Sequence, residues 1–164
     1  MRIKNWIVAS SVAVSLVASV AALAQTAVPV YGPSVTMDQA RKLVMAAEAE
    51  AKKIAIPMAI AIVDNAGHLV MFSKMDNTQT ASIFVSQDKA VSSATYRRPT
   101  KVFQDGLAGG GVGLRILQLR GANSVDGGIP ITVEGKIVGG IGVSGGTVDQ
   151  DFQVAKAGLD GLSK

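Results

Sequence analysis

The stretch GGIPITVEGKIVGGIGVSGGTVDQD, residues 127–151, decides the fold. Two runs rich in isoleucine and valine flank a tight Glu134-Gly135 turn, which predicts a β-hairpin. A Thr147–Gln150 capping box after the second run predicts a helix. Glycines within a strand remove side chains, so another backbone, a helix or a flat ligand can approach the second run closely. These glycines occupy positions 139, 140, 142, 145 and 146.

Two catalytic patterns lie inside this stretch, and the rest of the chain argues against both. Residues 140–145 fit the dinucleotide pattern G-x-G-x-x-G, which needs a second strand and an acidic residue about 20 positions further on. The residues that follow predict one helix instead. Residues 142–146 fit the nucleophile elbow G-x-S-x-G, which needs an acid and then a histidine after Ser144. The sole histidine, His68, precedes that serine, so we expect neither chemistry.

The amino-terminal residues 1–24 have the pattern of a cleaved secretory signal. A basic start is followed by an apolar run and by the small-x-small sequence ALA at 22–24. The apolar run is shorter than the roughly 20 residues of a membrane span. We therefore expect a periplasmic or secreted protein without membrane attachment after cleavage, with a flexible lead over 25–35 and one domain over 36–164.

Composition excludes several classes of partner and site. The formal charge is +4 and falls to +2 once Arg2 and Lys4 leave with the signal. A nucleic-acid partner requires a clustered basic face, and the largest local group of cations is only three residues, Arg97, Arg98 and Lys101, so we expect none. The chain contains no cysteine, which removes disulfides, thiolate chemistry and cysteine zinc sites.

The pattern of helices and strands predicts the fold class. A capping box at Thr36 begins a helix that ends before Pro57, and residues 58–64 and 68–73 form a hairpin around an Asn-Ala-Gly turn. A second long helix is predicted over 79–97, with its core face formed by Ile83, Gln87, Ala90, Val91 and Ala94. Residues 114–119 fit either a third strand or a helical turn. We predict a single α+β domain with a central antiparallel sheet of about five strands packed with helices.

The segment RRPTKVF at 97–103 is the strongest candidate for a binding site. Its cations stand beside a helix break, with the aromatic rings of Tyr96 and Phe103 close by. Guanidinium groups match carboxylates, and the rings suit an apolar face, so the segment fits a flat anionic ligand. The alternative is a solvated helix end, where the helix dipole favours cations.

Two further residues allow more than one interpretation. His68 is either a solvated residue at a strand end or a single axial ligand for haem iron, since one imidazole alone does not build a zinc site. Asp64 precedes a turn, where an aspartate favours local hydrogen bonds over acid–base catalysis.

Several separated motifs, in order, resemble those of the GlcG/HbpS-like family of haem-binding proteins, which is related to the C-terminal domain of some corrinoid adenosyltransferases. The resemblance implies an α+β domain with a central antiparallel sheet, self-assembly into higher oligomers and haem binding in some members. Lys74 stands where an arginine is expected. The motifs are DNAGHLV at 64–70, SKMD at 73–76, RRPTKVF at 97–103, GGIPI at 127–131 and GGIGVSGG at 139–146.

The resemblance and the residues together give a first hypothesis: an exported haem- or tetrapyrrole-binding protein that serves haem or iron sensing, storage or protection, without catalysis of its own. We expect a homo-oligomer larger than a dimer. His68 or Thr100 would donate to the iron. The remaining binding residues would contact the propionates and the ring, and they are Arg97, Arg98, Lys101 and Phe103.

Two rival hypotheses belong to other classes. In the second, the protein is an enzyme or an accessory subunit acting on a small organic acid, with the same cationic segment and Asp64 or Asp76. In the third, it is a purely structural assembly module. The sequence leaves these alternatives open.

Overall fold

The computed structural model describes residues 28–162, so the predicted signal at 1–24 lies outside the described residues. Four strands, four α-helices and one 3₁₀ segment follow each other along the chain. Their bounds are α1 Met37–Lys53, β1 Ala59–Asp64, β2 Leu69–Lys74, α2 Ser82–Tyr96, α3 Lys101–Ala108, the 3₁₀ segment Gly111–Gln118, β3 Gly128–Val133, β4 Lys136–Ser144 and α4 Val148–Leu162.

The strands form one antiparallel sheet in the order β2-β1-β4-β3. Two hairpins, β1–β2 and β3–β4, meet along the pairing of β1 with β4, which runs from Ala59 opposite Ser144 to Asp64 opposite Gly139. Both hairpins were predicted from local turn signals, and the α+β class is confirmed. In the described residues no helix is long and apolar enough to cross a membrane.

The sheet has four strands rather than about five, because all but the last of residues 114–119 belong to the 3₁₀ segment, which ends at Gln118. Gly110 and Gly111 both adopt positive φ angles, 63° and 51°, which turn the chain back towards α3. Gly113 then lies so close to α3 that a Cβ atom there would be 1.9 Å from the carbonyl oxygen of Gly106. The segment therefore packs on a helix and does not reach a sheet edge.

One face of the sheet is covered by α1 and α4. The predicted capping box of α1 is present, since the Gln39 amide donates to Thr36 Oγ1 and the Thr36 amide donates to Gln39 Oε1. Thr147 and Gln150 form the same arrangement at the start of α4. The buried face of α1 is apolar and consists of Ala40, Leu43, Val44, Ala47 and Ala51.

The other face of the sheet is covered by α2, whose buried residues are small and polar. The prediction that Ile83 and Gln87 face the core is wrong, because these side chains are only half-buried. Ala90 and Ala94 are buried as predicted, and Val91 is partly buried against them. The buried set consists of Ser82, Ser86, Lys89, Ala90, Ser92, Ser93 and Ala94.

Glycines of β4 explain this small buried face. A Cβ atom at Gly142 would lie 2.0 Å from the Ser86 carbonyl oxygen, and one at Gly140 would lie 2.4 Å from the Ala90 carbonyl oxygen. The helix backbone therefore lies directly on the strand backbone, where large side chains have no room. The element that packs against these glycines is a helix, which is one of the three possibilities that the sequence predicted.

We expect Gly142→Ala to lower the free energy of unfolding by about 3 kcal/mol or more, because both colliding groups are rigid backbone. Gly109→Ala is the matched control: Gly109 has a helical φ of −68° and its nearest contact to an added Cβ is 3.5 Å. That change should be neutral or stabilise the protein by about 0.4–1 kcal/mol. Urea unfolding followed by circular dichroism measures both; equal stability of the two variants would contradict the close contact.

Candidate functional site

The break between α2 and α3 is fixed by a buried threonine. Arg97 ends α2 in the left-handed conformation, with φ 56° and ψ 37°. Thr100 is fully buried, and its amide donates to the Gly128 carbonyl oxygen at 2.9 Å. The Gly128 amide in turn donates to Thr100 Oγ1 at 2.9 Å. Thr100 therefore ties the start of α3 to the start of β3.

The two arginines of this break point to different partners. The Arg97 guanidinium lies 5.4 Å from the centroid of the Tyr31 ring and donates to the Pro29 carbonyl oxygen at 3.4 Å. The Arg98 guanidinium lies 5.8 Å from the centroid of the Phe103 ring. Arg97 thus anchors the described part of the amino-terminal lead, while Arg98 stays beside α3.

A cavity of about 540 Å³ lies between α3 and the 3₁₀ segment, and we call it the α3 cavity. Phe103 is buried at its wall and packs edge-to-face on Tyr96 at 5.1 Å between ring centroids. Two cations, Arg98 and Arg115, line it together with Gln118. Its other lining residues are Val102, Phe103, Gly106, Val112, Gly113, Ile116 and Leu119.

Large apolar side chains are exposed around the α3 cavity. Val112 and Leu117 are 74% and 65% exposed. We call this set the apolar patch, and it consists of Val102, Val112, Leu114, Leu117 and Leu119. Apolar groups gathered on one surface mark a binding site or an interface more often than singly scattered ones.

The remaining cation of the segment is paired within its own helix. Lys101 Nζ donates to Asp105 Oδ1 at 2.8 Å, and both side chains are more than half exposed. The hydrogen bond to Asp105 raises the pKa of Lys101. Lys101 does not line the α3 cavity.

His68 lies in the β1–β2 turn, where its side chain is 81% exposed. Its Nδ1 is 3.3 Å from Asp64 Oδ2, while Asp64 Oδ1 accepts hydrogen bonds from the amides of Ala66 and His68 at 2.8 and 2.9 Å. Burial opposes ionisation of Asp64, but these hydrogen bonds outweigh it and hold its pKa below the ordinary value. The predicted turn role of Asp64 is confirmed.

The structure does not bring all the predicted residues to one place. Arg98 and Phe103 line the α3 cavity, and Thr100 lies buried behind it at the start of α3. His68 is not among the residues that line that cavity, and Asp76 lines a different one, formed by α1 and β2. Arg115 was missed by the sequence reasoning, because its segment fitted a strand as well as a helical turn.

The sequence reasoning also missed a buried ion pair. Lys89 is fully buried, and its Nζ donates to Asp151 Oδ2 at 2.7 Å and to the Val143 carbonyl oxygen at 3.0 Å. The Gly146 amide donates to the other Asp151 oxygen at 2.9 Å. Burial raises the pKa of the Asp151 carboxyl, and the Lys89 ammonium and the glycine amides oppose that rise. The only signal in the sequence is a lysine among serines and alanines at helical spacing.

We expect Lys89→Met to lower the free energy of unfolding by about 3–5 kcal/mol, because it leaves the Asp151 carboxylate buried without a cation. Adding Asp151→Asn should recover part of that loss, since the uncompensated charge is then gone. Lys101→Met, which breaks an exposed pair, should change stability little. Thermal and urea unfolding of the three variants measure this; a double variant no more stable than Lys89→Met would argue against the charge penalty.

The fold and the cavity define a small α+β domain with helices on both faces of one sheet and an open apolar cavity edged by arginines. The chain belongs to the family described as haem degrading protein HbpS-like, whose model matches residues 35–160. The family resemblance seen in the sequence motifs is thereby confirmed.

Individual relatives agree with this membership. Protein GlcG of Escherichia coli is 36% identical over 109 residues, which cover 66% of this chain and 80% of GlcG. The crystal structure of a double mutant of HbpS from Streptomyces reticuli has a TM-score of 0.72 and 26% identity, over 94% of this chain and 97% of that one. The crystal structure of a PduOC:heme complex has a TM-score of 0.71 over 78% and 94% of the two chains, and at 24% identity it shows the fold alone.

Proposed function

We propose that this protein binds haem in the α3 cavity. The observation that carries the proposal is an open cavity of about 540 Å³ that combines apolar walls with two guanidinium groups. Haem is a flat, largely apolar ring with two carboxylates at one edge, so it needs an apolar surface together with cations. The description of the family as haem degrading supports the proposal, as does the heme found with PduOC, a protein of the same fold.

The side chains around the α3 cavity fit the periphery of haem. Phe103 and Val102 offer an apolar face to the ring, while Arg98 and Arg115 offer donors to the two propionates. Arg97 and Lys101, which the sequence also suggested for this role, are engaged with Tyr31 and Asp105 instead. We therefore assign the propionate contacts to Arg98 and Arg115.

The iron finds no strong donor in the α3 cavity. None of the described residues that line it carries an imidazole, a thiol or a thioether. Thr100 Oγ1 is buried and accepts a hydrogen bond from the Gly128 amide, so it is not free to face a ligand. The protein would thus hold haem mainly by its ring and propionates, and the haem would supply a redox-active iron. We infer loose, exchangeable binding.

We expect hemin to bind the mature protein with a saturable Soret shift. Arg98→Ala combined with Arg115→Ala should weaken binding by about tenfold per guanidinium, the lower end of the range for a charge-assisted hydrogen bond, because both groups are partly solvated. Absorbance titration gives the affinities.

Arg97→Ala is the matched control, since it removes an arginine one residue away that faces Tyr31, and its affinity should stay close to the wild type. His68→Ala should also leave the spectrum unchanged if the iron has no imidazole donor. Absence of saturable binding in the wild type, or equal losses in the Arg97 and Arg98 variants, would refute the assignment to the α3 cavity.

We further propose that the protein is exported and works as a homo-oligomer larger than a dimer. Export is supported by the signal pattern of residues 1–24. Assembly is supported by the apolar patch, since side chains such as Val112 and Leu117 are largely exposed in the single chain and gain by being covered. An exported oligomer that exchanges haem loosely suits haem sensing, storage or protection.

Mass spectrometry of the protein purified from its host measures both properties. Under denaturing conditions we expect the mass of a chain that begins at Gln25. Under native conditions we expect the mass of an assembly of more than two such chains. A chain that retains Met1 would refute export, and a monomer would refute assembly.

A further inference from the structure

A second cavity, of about 440 Å³, lies on the molecule at the end of α1 and shares no lining residue with the α3 cavity. We call it the α1–β2 cavity. The last turns of α1, the chain reversal after it and the end of β2 enclose it. Its apolar lining consists of Ala51, Ala55, Ile56, Pro57 and Met75.

The chain reversal that forms one wall is held by backbone hydrogen bonds. The Ile56 amide donates to the Ala51 carbonyl oxygen and the Ala55 amide donates to the Lys52 carbonyl oxygen, both at 3.1 Å. This is the Schellman arrangement, in which glycine usually occupies the position of Ala55. Ala55 adopts a φ of 56° there. The Met75 amide donates to the Met58 carbonyl oxygen at 3.0 Å and fixes the facing wall.

Four charged side chains line the α1–β2 cavity, two of each sign: Glu48, Lys52, Lys74 and Asp76. Glu48 accepts a hydrogen bond from Ser73 Oγ, and its other oxygen is 3.8 Å from Lys52 Nζ. Lys74 and Asp76 are exposed, and neither forms an ion pair with another described residue. Lys74 and Asp76 are therefore the cation and the anion of this cavity that are available to a ligand.

We propose that the α1–β2 cavity binds a free amino acid with a medium-sized apolar side chain. A ligand with a single charge would meet a like charge as well as an opposite one on these walls. A zwitterion carries one charge of each sign, so its ammonium can pair with Asp76 while its carboxylate pairs with Lys74. Its side chain then packs on Met75 and Ile56, which are only half-buried without it.

The proposal is independent of haem binding, and calorimetric titration of the mature protein with leucine tests it. Isocaproate is leucine without the ammonium group, and isoamylamine is leucine without the carboxylate. We expect saturable binding of leucine and at least about tenfold weaker binding of each analogue. No saturable binding of leucine, or an analogue that binds as tightly, would overturn the proposal.

Charge-removing variants locate the site. Lys74→Met and Asp76→Asn keep the approximate size of each side chain, and each should weaken leucine binding by about tenfold. Lys156→Met and Asp160→Asn are matched controls, because they remove an exposed ion pair on α4 that lies away from either cavity; they should bind leucine like the wild type. Wild-type leucine affinity in the cavity variants would refute the site.

Hemin titration of the same variants separates the two proposals. Lys74→Met and Asp76→Asn should leave the Soret titration unchanged, because neither residue lines the α3 cavity. If the wild type binds leucine but not hemin, only the haem proposal is refuted. If it binds hemin but not leucine, only the amino-acid site is refuted.

Discussion

The contact on which the structure depends is the backbone of α2 lying directly on the backbone of β4. Because Gly140 and Gly142 carry no side chains, the helix approaches until its carbonyl oxygens occupy the space where Cβ atoms would be. This forces a buried helix face of serine and alanine. Two of the serine hydroxyls bond back to the helix: Ser86 Oγ donates to the Ile83 carbonyl oxygen at 3.2 Å and Ser93 Oγ to the Ala90 carbonyl oxygen at 2.8 Å. No buried side-chain donor among the described residues lacks a partner. The layer between α2 and β4 is therefore filled by the close contact of the two backbones, without the large apolar side chains that usually lie between a helix and a sheet.

The same approach explains how a lysine can be fully buried on α2. Lys89 extends past Gly127, where an added Cβ would lie 3.0 Å from Nζ, and reaches Asp151 at the start of α4. Since α4 covers the opposite face of the sheet, this ion pair links the two helical layers beside Val143, near the end of β4. Gly128, the next residue, holds Thr100 and so fixes where α3 begins. The wall of the α3 cavity is thus positioned by contacts deep in the domain.

The sequence predicted what local signals determine. The capping boxes at Thr36 and Thr147, both hairpins and the close approach at β4 all depend on residues near each other in the chain. The Lys89–Asp151 pair was not predictable in this way, because its partners are 62 positions apart and each alone resembles a solvated surface residue. The helix break at 97–103 was predicted from Pro99, yet the divergence of Arg97 from Arg98 follows from the left-handed conformation of Arg97 and its contact with Tyr31. Tertiary contacts of that kind leave no periodic trace in the sequence.

The two walls of the α3 cavity are held in place by different contacts, and this bears on how the cavity would hold a flat ligand. The α3 wall is tied to β3 through three hydrogen bonds between Thr100 and Gly128. The facing wall is a 3₁₀ segment that begins at two glycines with positive φ, and 3₁₀ hydrogen bonds have poorer geometry than α-helical ones. These glycines let the segment turn back and pack closely on α3, where Gly113 lies against the Gly106 carbonyl oxygen, while the α3 wall keeps Arg98 and Phe103 in place. Because no described residue that lines the α3 cavity is a strong iron donor, we propose that a haem held there by its apolar ring and its propionates binds loosely and exchanges.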